Sequence, residues 1–148
     1  MTTAFLADDL KHDEGCRTVA YQDTLGIWTI GVGHAHVAQG TVWTMDQCDA
    51  QLAIDIAHAE SLLDANAAWW RALNDARQDV MANLCFNMGW GNGASGLSSF
   101  KNTLRFIEAG DFEDAAKGLL ASKWATQVHG RATRLATQLQ TGVRVAPA

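Results

Sequence analysis

Proline occurs only once in the 148 residues. A chain with so few helix breakers, and with a large share of Ala, Leu, Asp and Gln, is read as mostly helical. No apolar run approaches the length that spans a bilayer, so the chain is expected neither to cross a membrane nor to anchor in one. At the amino end, Asp8 and Asp9 interrupt the place where a secretory leader would carry its apolar core, and no leader is expected there. Cysteine is scarce and odd in number. Cys16, Cys48 and Cys85 are far apart and lack metal-type pairing, so they are read as free thiols of a reducing compartment, with Cys48 and Cys85 in the core. Positive charge is nearly missing from the first part of the chain. Through Asn66 there are two basic residues, Lys11 and Arg17, against ten acidic ones, a balance of −8; from Ala67 onward nine basic and six acidic residues give +3, for a total of −5. That distribution argues against nucleic acid as the main partner.

What is present is an ordinary globular composition, 48% hydrophobic and 18% charged, in a length that suits one compact protein with a substantial core. The most informative stretch runs from Glu14 to His34. A helix-like segment closes at Glu14-Gly15, where Gly can take a left-handed cap. An extended run follows, then the turn signal Asp23-Thr24-Leu25-Gly26, then a second extended run through Trp28, Ile30 and Val32. This is a hairpin with Glu14 just before it, Asp23 at its tip and Thr29 six residues beyond. Two carboxyl groups facing each other across a gap can cleave a glycosidic bond. One protonates the leaving oxygen, and the other activates water or attacks directly. Turn chemistry and a solvated helix-end charge account for the same two acids when they are taken alone.

The longer string Asp13-Glu14-Gly15, Tyr21, Asp23, Gly26 and Thr29-Ile30-Gly31-Val32-Gly33-His34 resembles the active-site hairpin of the phage-type lysozymes, a family of glycoside hydrolases. In that family a Glu is followed nine residues later by an Asp and six after that by a Thr, the intervals found here. The resemblance implies that Glu14 is the general acid, that Asp23 and Thr29 place the attacking water, and that Gly33 lies among the substrate-contacting residues. Cys16, two residues past Glu14, lacks the His that would make it a nucleophile.

Beyond the hairpin, His34 and His36 could share a strand face, but no carboxylate or Cys in a recognised spacing completes a metal site. Thr44-Met45-Asp46-Gln47 is a capping box, opening a helix with Cys48, Leu52, Ile56, Ala59 and Leu63 on one face. Asn74 caps a second helix, whose inner face is Val80, Met81, Leu84, Cys85 and Met88 and which stops at Gly89. The Gly-rich stretch 90–96 is read as a mobile loop, and no Gly-Lys-Ser/Thr closes it into a phosphate loop. Ser98 or Ser99 is expected to cap a helix ending at Gly110. Asp111 with Asp114 starts another that buries Phe112, Ala115, Ala116, Leu119 and Leu120, and a last helix precedes a frayed tail. Phe86-Asn87-Met88-Gly89, Phe100-Lys101-Asn102-Thr103-Leu104, Ser122-Lys123-Trp124 and Gly130-Arg131-Ala132-Thr133-Arg134 resemble the same family in the same order. By that resemblance Phe86 and Thr103 would line the sugar groove, and Arg131 would reach toward Glu14. Trp90 offers an aromatic face on which a sugar ring can stack.

The expected fold is therefore α+β, mostly α, lysozyme-like and two-lobed. A single catalytic domain covers 1–148, with an amino-terminal helix and small β-hairpin lobe over 1–44, a long linking helix over 45–66 and a larger helical lobe over 67–148. The resemblance implies an endolysin-type muramidase that hydrolyses the β-1,4 bond between N-acetylmuramic acid and N-acetylglucosamine in peptidoglycan, with inversion and host lysis, and with no metal or organic cofactor. Such an enzyme is made as a monomer in the host bacterial cytoplasm and reaches the wall with the help of a separate holin. A chitinase, a transglycosylase-like cleavage and a non-catalytic wall-binding module are the alternatives. The acidic net charge departs from the basic character expected of an enzyme working on an anionic wall.

Overall fold

The computed structural model describes all of residues 1–148. Seven α-helices and one small antiparallel sheet make up the regular structure, an α+β fold that is mostly α. The chain divides into two compact units: Ala4–His58, and Met1–Thr3 together with Ala59–Ala148. No helix is long and apolar enough to cross a membrane.

The smaller unit contains α1 (Phe5–Glu14), β1 (Arg17–Gln22), β2 (Trp28–Gly31), β3 (His34–Ala35) and the first part of α2 (Met45–Asn66). Gly15 ends α1 with φ 75° and ψ 171°, so φ is positive as expected but ψ is extended rather than helical. The chain is thereby redirected into β1 within two residues. The three strands lie in sequence order, with Arg17 opposite Gly31, Tyr21 opposite Thr29 and Gln22 opposite Trp28, and an irregularity between Arg17 and Tyr21. The short β3 continues the sheet, pairing Thr29 with Ala35 and Ile30 with His34. The capping box that opens α2 is present in both directions: Gln47 N–H donates to Thr44 Oγ1 at 3.1 Å and Thr44 N–H to Gln47 Oε1 at 2.8 Å. Leu6, Leu10, Ile30, Val32, Cys48 and Leu52 are this unit's buried apolar side chains. A fully buried large aliphatic of this kind contributes about 1.5–3 kcal/mol.

The larger unit holds the rest of α2, then α3 (Asp75–Met88), α4 (Lys101–Ala109), α5 (Phe112–Leu120), α6 (Lys123–Val128) and α7 (Gly130–Thr141), with short 3-10 turns at Ala68–Ala72 and Leu97–Ser99. Asn74 caps α3 as predicted, accepting from Arg77 N–H at 3.0 Å. The single inner face expected for α3 is not what forms. Every residue from Gln78 to Cys85 is buried, because α7 and both 3-10 turns pack around it. Two of the buried polar side chains are tied internally: Gln78 Nε2 donates to the carbonyls of Arg71 and Leu73, and Asp79 accepts from the backbone and hydroxyl of Thr3.

Several expectations for this unit need correction. Neither Ser98 nor Ser99 caps α4; both belong to the 3-10 turn, their hydroxyls bond to Ser95 O and Gly96 O, and Phe100 occupies the cap position. Leu120 is 47% exposed, at the last position of α5, where the helix runs out. The helix α6 is not predicted at all. It is six residues long, capped by Ser122 accepting from Ala125 N–H, and cut from α7 by His129 at φ 45°. The carboxyl tail is tied rather than frayed at Val145, whose N–H donates to Gln138 Oε1.

Candidate active site

Within the unit Ala4–His58, one short hairpin and the helix before it position Glu14, Asp23, Thr29 and Gly33. Glu14 is the last residue of α1 and is half-buried. A Cβ placed on Gly33 would stand 3.1 Å from Glu14 Oε2 and 3.3 Å from both Cδ and Cγ, so the carboxyl group rests against the bare backbone of Gly33. Gly33 also has φ 66°, a conformation that L side chains resist. Glycine alone satisfies both demands.

Asp23 follows β1 directly. Its Oδ1 accepts the N–H groups of Leu25 at 2.8 Å and Ile27 at 2.9 Å, and its own N–H donates to Ile27 O. The turn reading of this residue is therefore correct, and it has a chemical consequence. Both side-chain bonds fall on Oδ1, so the turn holds the carboxylate in one orientation and leaves Oδ2 for another donor.

Thr29 is 4% exposed and its hydroxyl donates to Ile27 O at 3.0 Å. With its proton committed there, the oxygen can only accept from a further partner. Tyr21 connects these groups. It pairs with Thr29 across the hairpin, and the Arg17 guanidinium lies 4.6 Å from its ring centre. Burial pushes the Tyr21 phenol up; Arg17 opposes the rise, while the charges of Glu14 and Asp23 add to it. Tyr21 thus stands within electrostatic reach of both carboxyl groups. The sequence reading assigns it no role beyond membership of the motif. The missed signal is the symmetry of the hairpin about Leu25, which brings residue 21 opposite residue 29.

His34 is anchored, one residue beyond Gly33. Its Nδ1 lies 2.7 Å from Asp55 Oδ2, Gln51 Nε2 donates to Asp55 Oδ1 at 2.9 Å, and the Trp43 ring sits tilted 5.6 Å away. No group of three or more His, Cys, Asp or Glu is gathered as a metal site.

The remaining candidates belong to the larger unit. Arg131, near the start of α7, donates through Nε at 3.1 Å and Nη2 at 2.7 Å to Asn83 Oδ1, and Asn83 is 1% exposed. Thr103 lies on α4 and lines a groove of about 910 Å³ with Met88, Phe100, Lys101, Lys123 and Trp124. Trp124 is held there by donation from Nε1 to Asn87 Oδ1 at 2.7 Å. Phe86 and Trp90 are half-buried and lie outside the lining of that groove. The loop carrying Trp90 is closed on itself by backbone bonds: Leu97 N–H donates to Gly89 O and Ser98 N–H to Trp90 O. A Cβ on Gly91 would fall 1.8 Å from Ser95 O, so this closure requires glycine.

An acid at a helix end, a carboxylate beside a hairpin turn and a threonine hydroxyl on the following strand are the kinds of group that a two-carboxylate sugar hydrolase uses. The model of the phage lysozyme family matches residues 11–139, and the chain belongs to that family. Among its relatives, the pre-baseplate central spike protein of Enterobacteria phage T4 is 30% identical over 93% of this chain, a match that spans 28% of the spike protein's own length. A probable T4-type lysozyme of Dictyostelium discoideum is 29% identical over 93% of this chain and 94% of its own. The endolysin of Salmonella phage P22 is 34% identical over 78% of this chain and 79% of its own.

Proposed function

We propose that the protein is an endolysin-type muramidase that hydrolyses the β-1,4 bond between N-acetylmuramic acid and N-acetylglucosamine in peptidoglycan. The observation that carries this reading is the arrangement around Tyr21, with Glu14 seated on Gly33, Asp23 presenting a free Oδ2, and Thr29 directly across the hairpin. Glu14 donates its proton to the glycosidic oxygen as the bond to the anomeric carbon breaks. A water donates one hydrogen to Thr29 Oγ1 and the other to Asp23 Oδ2, which leaves a lone pair for attack on the anomeric carbon from the opposite face. Asp23 takes up the water's proton and later releases it to solvent, and Glu14 regains a proton there. The outcome is inversion, which calls for carboxyl groups roughly 6.5–9.5 Å apart with a water between them. Phe86, Trp90, Thr103 and Arg131 are assigned to binding the polysaccharide. No metal or organic cofactor enters the scheme.

The chain acts as a monomer, is made in the host bacterial cytoplasm and depends on a holin for access to the wall. Similarity to a spike protein favours a second place of action, on the phage particle during entry, with the same chemistry. Mass spectrometry of purified particles separates the two: absence of the chain from particles leaves the lytic role.

The test compares clearing of peptidoglycan sacculi by the wild type and by Glu14→Gln, both checked for folding by circular dichroism. Removal of a general acid lowers the rate by roughly 10²–10⁴-fold. Released fragments should carry reducing ends, whereas anhydro ends would indicate transglycosylation. Equal clearing by the two proteins would overturn the assignment of Glu14.

A further inference from the structure

The chemistry above uses none of the three cysteines, and the fold brings two of them near each other. Cys48, in the first turn of α2, is 0% exposed, while Cys16, at the entrance to β1, is half-buried. Cys48 Sγ lies 3.7 Å from the carbonyl oxygen of Arg17, the residue next to Cys16. It is also 3.7 Å from the Cβ position of Gly31, the residue paired with Arg17 across the hairpin. Burial pushes the Cys48 thiol up, and Cys16, within electrostatic reach, adds to the rise. Lys11, ion-paired with Asp49 at 2.8 Å, places a positive charge within reach of Cys16. Cys85 is buried in α3, in the other unit. A half-exposed thiol one residue from the backbone against which a buried thiol packs gives an entry sulfur and a resolving sulfur.

We propose that Cys16 and Cys48 are a redox dithiol that closes to an intramolecular disulfide by exchange with an external disulfide, such as oxidised glutathione or an oxidised thiol oxidoreductase. In the first step the Cys16 thiolate attacks one sulfur of the external disulfide, forming a mixed disulfide and expelling one thiolate. In the second, Cys48 gives up its proton and its sulfur attacks that of Cys16, expelling the other thiolate. Two electrons and two protons pass from the protein to the external disulfide, which ends as two thiols. The new bond ties the start of the hairpin, two residues past Glu14, to the first turn of α2. It closes the whole segment 16–48 into a loop and so restricts the unfolded chain. A reducing cytoplasm keeps the pair open and an oxidising cell envelope closes it. This inference stands whatever the carboxyl groups do, since its readouts need no catalysis.

The purified full chain is incubated folded with oxidised glutathione, then alkylated, digested and mapped by mass spectrometry. The expected wild-type product lacks two hydrogens, contains a cross-linked peptide joining Cys16 to Cys48, and leaves Cys85 alkylated after unfolding. Its melting midpoint rises by several degrees and returns on reduction. Cys48→Ala should instead retain glutathione on Cys16, and Cys16→Ala should not react while folded. Glutathione persisting on Cys16 in the wild type, bonds between two chains, or no oxidation under these conditions would each overturn the proposal. The wild-type map decides the matter even if a variant fails to fold.

Discussion

Replacing Gly33 with alanine tests the seat of the proposed acid more sharply than removing the acid itself. The new methyl carbon would lie 3.1 Å from Glu14 Oε2 and 3.3 Å from Cδ, so the carboxyl group must retreat by a few tenths of an ångström. The backbone at φ 66° adds strain of about 1–2 kcal/mol, since a side chain there crowds the following carbonyl. Gly40 supplies the control, with φ 86° and nothing within 4 Å of an added Cβ. Gly33→Ala and Gly40→Ala should therefore both lose stability, each lowering the melting midpoint by about 2–8 °C in a chain of this size. Only Gly33→Ala should lose catalysis. A misplacement of about 1 Å can cost roughly 100-fold, so a shift of a few tenths should cost on the order of 10-fold in kcat. The assay is initial clearing of peptidoglycan sacculi at saturating wall concentration, well below either melting midpoint. Wild-type kcat in Gly33→Ala, with the melting shift present, would refute the claim that Gly33 sets the position of a catalytic Glu14.

Three further changes separate structural from chemical roles. Asp64 accepts from the indole N–H of Trp70, itself 0% exposed, and from Arg71. Asp64→Ala should thus cost about 1–3 kcal/mol by urea denaturation, as a buried donor loses its partner, and Asp64→Asn less, because the amide oxygen still accepts. The Arg71 hydrogen bond, then that of Trp70, holds the Asp64 carboxyl below its ordinary value. Its stabilising contribution is therefore present above that ordinary value and lost as pH falls through the folded one; the Asp64→Asn deficit should vanish in strong acid, and persistence there would refute the charge argument. Asp55→Ala removes the 2.7 Å partner of His34 and should destabilise by about 1–2 kcal/mol in thermal melts, a hydrogen bond to a charged group being lost at a partly exposed site. Arg131→Lys cannot reproduce the two-nitrogen grip on Asn83, and Asn83→Ala removes the acceptor. Both should lower kcat/KM in sacculus clearing by about 10-fold, equivalent to roughly 1.4 kcal/mol, and wild-type values in both would remove Arg131 from the binding role.

The parts legible from sequence are those governed by neighbours along the chain. The end of α1 at Gly15, the turn at Asp23-Gly26, the capping box at Thr44 and Gln47 and the caps at Asn74 and Asp111 depend on local backbone requirements. The misreadings arise where packing decides. α3 has an amphipathic pattern on paper but is enclosed on every side from Gln78 to Cys85, which no periodicity in its own residues reveals. Ser98 and Ser99 look like caps, yet Gly96 turns the chain so that their hydroxyls meet carbonyls behind them instead of amides ahead. α6 is too short for a periodic signal, and its boundary depends on the strained backbone at His129.

The same distinction explains why the proposed chemistry could be read and its supports could not. Glu14, Asp23, Thr29 and Gly33 lie within 20 consecutive residues, so one hairpin register is enough to relate them, and that register follows from the turn. The groups that hold them come from farther away. Asp55 reaches His34 from 21 residues downstream, and Cys48 approaches Cys16 from 32. Neither Asp55 nor Cys48 looks different from a solvated helix acid or a small core residue until α2 is placed. Arg131 and Asn83, 48 residues apart, show the same thing in the larger unit, where a charged side chain at a helix start proves to be gripped by a buried amide. Substitutions within 14–33 should therefore change the rate of bond cleavage through the reacting groups. Substitutions at Asp55 or Cys48 should appear first in stability and only through it in rate, whereas Asn83→Ala acts through Arg131 and should appear in kcat/KM.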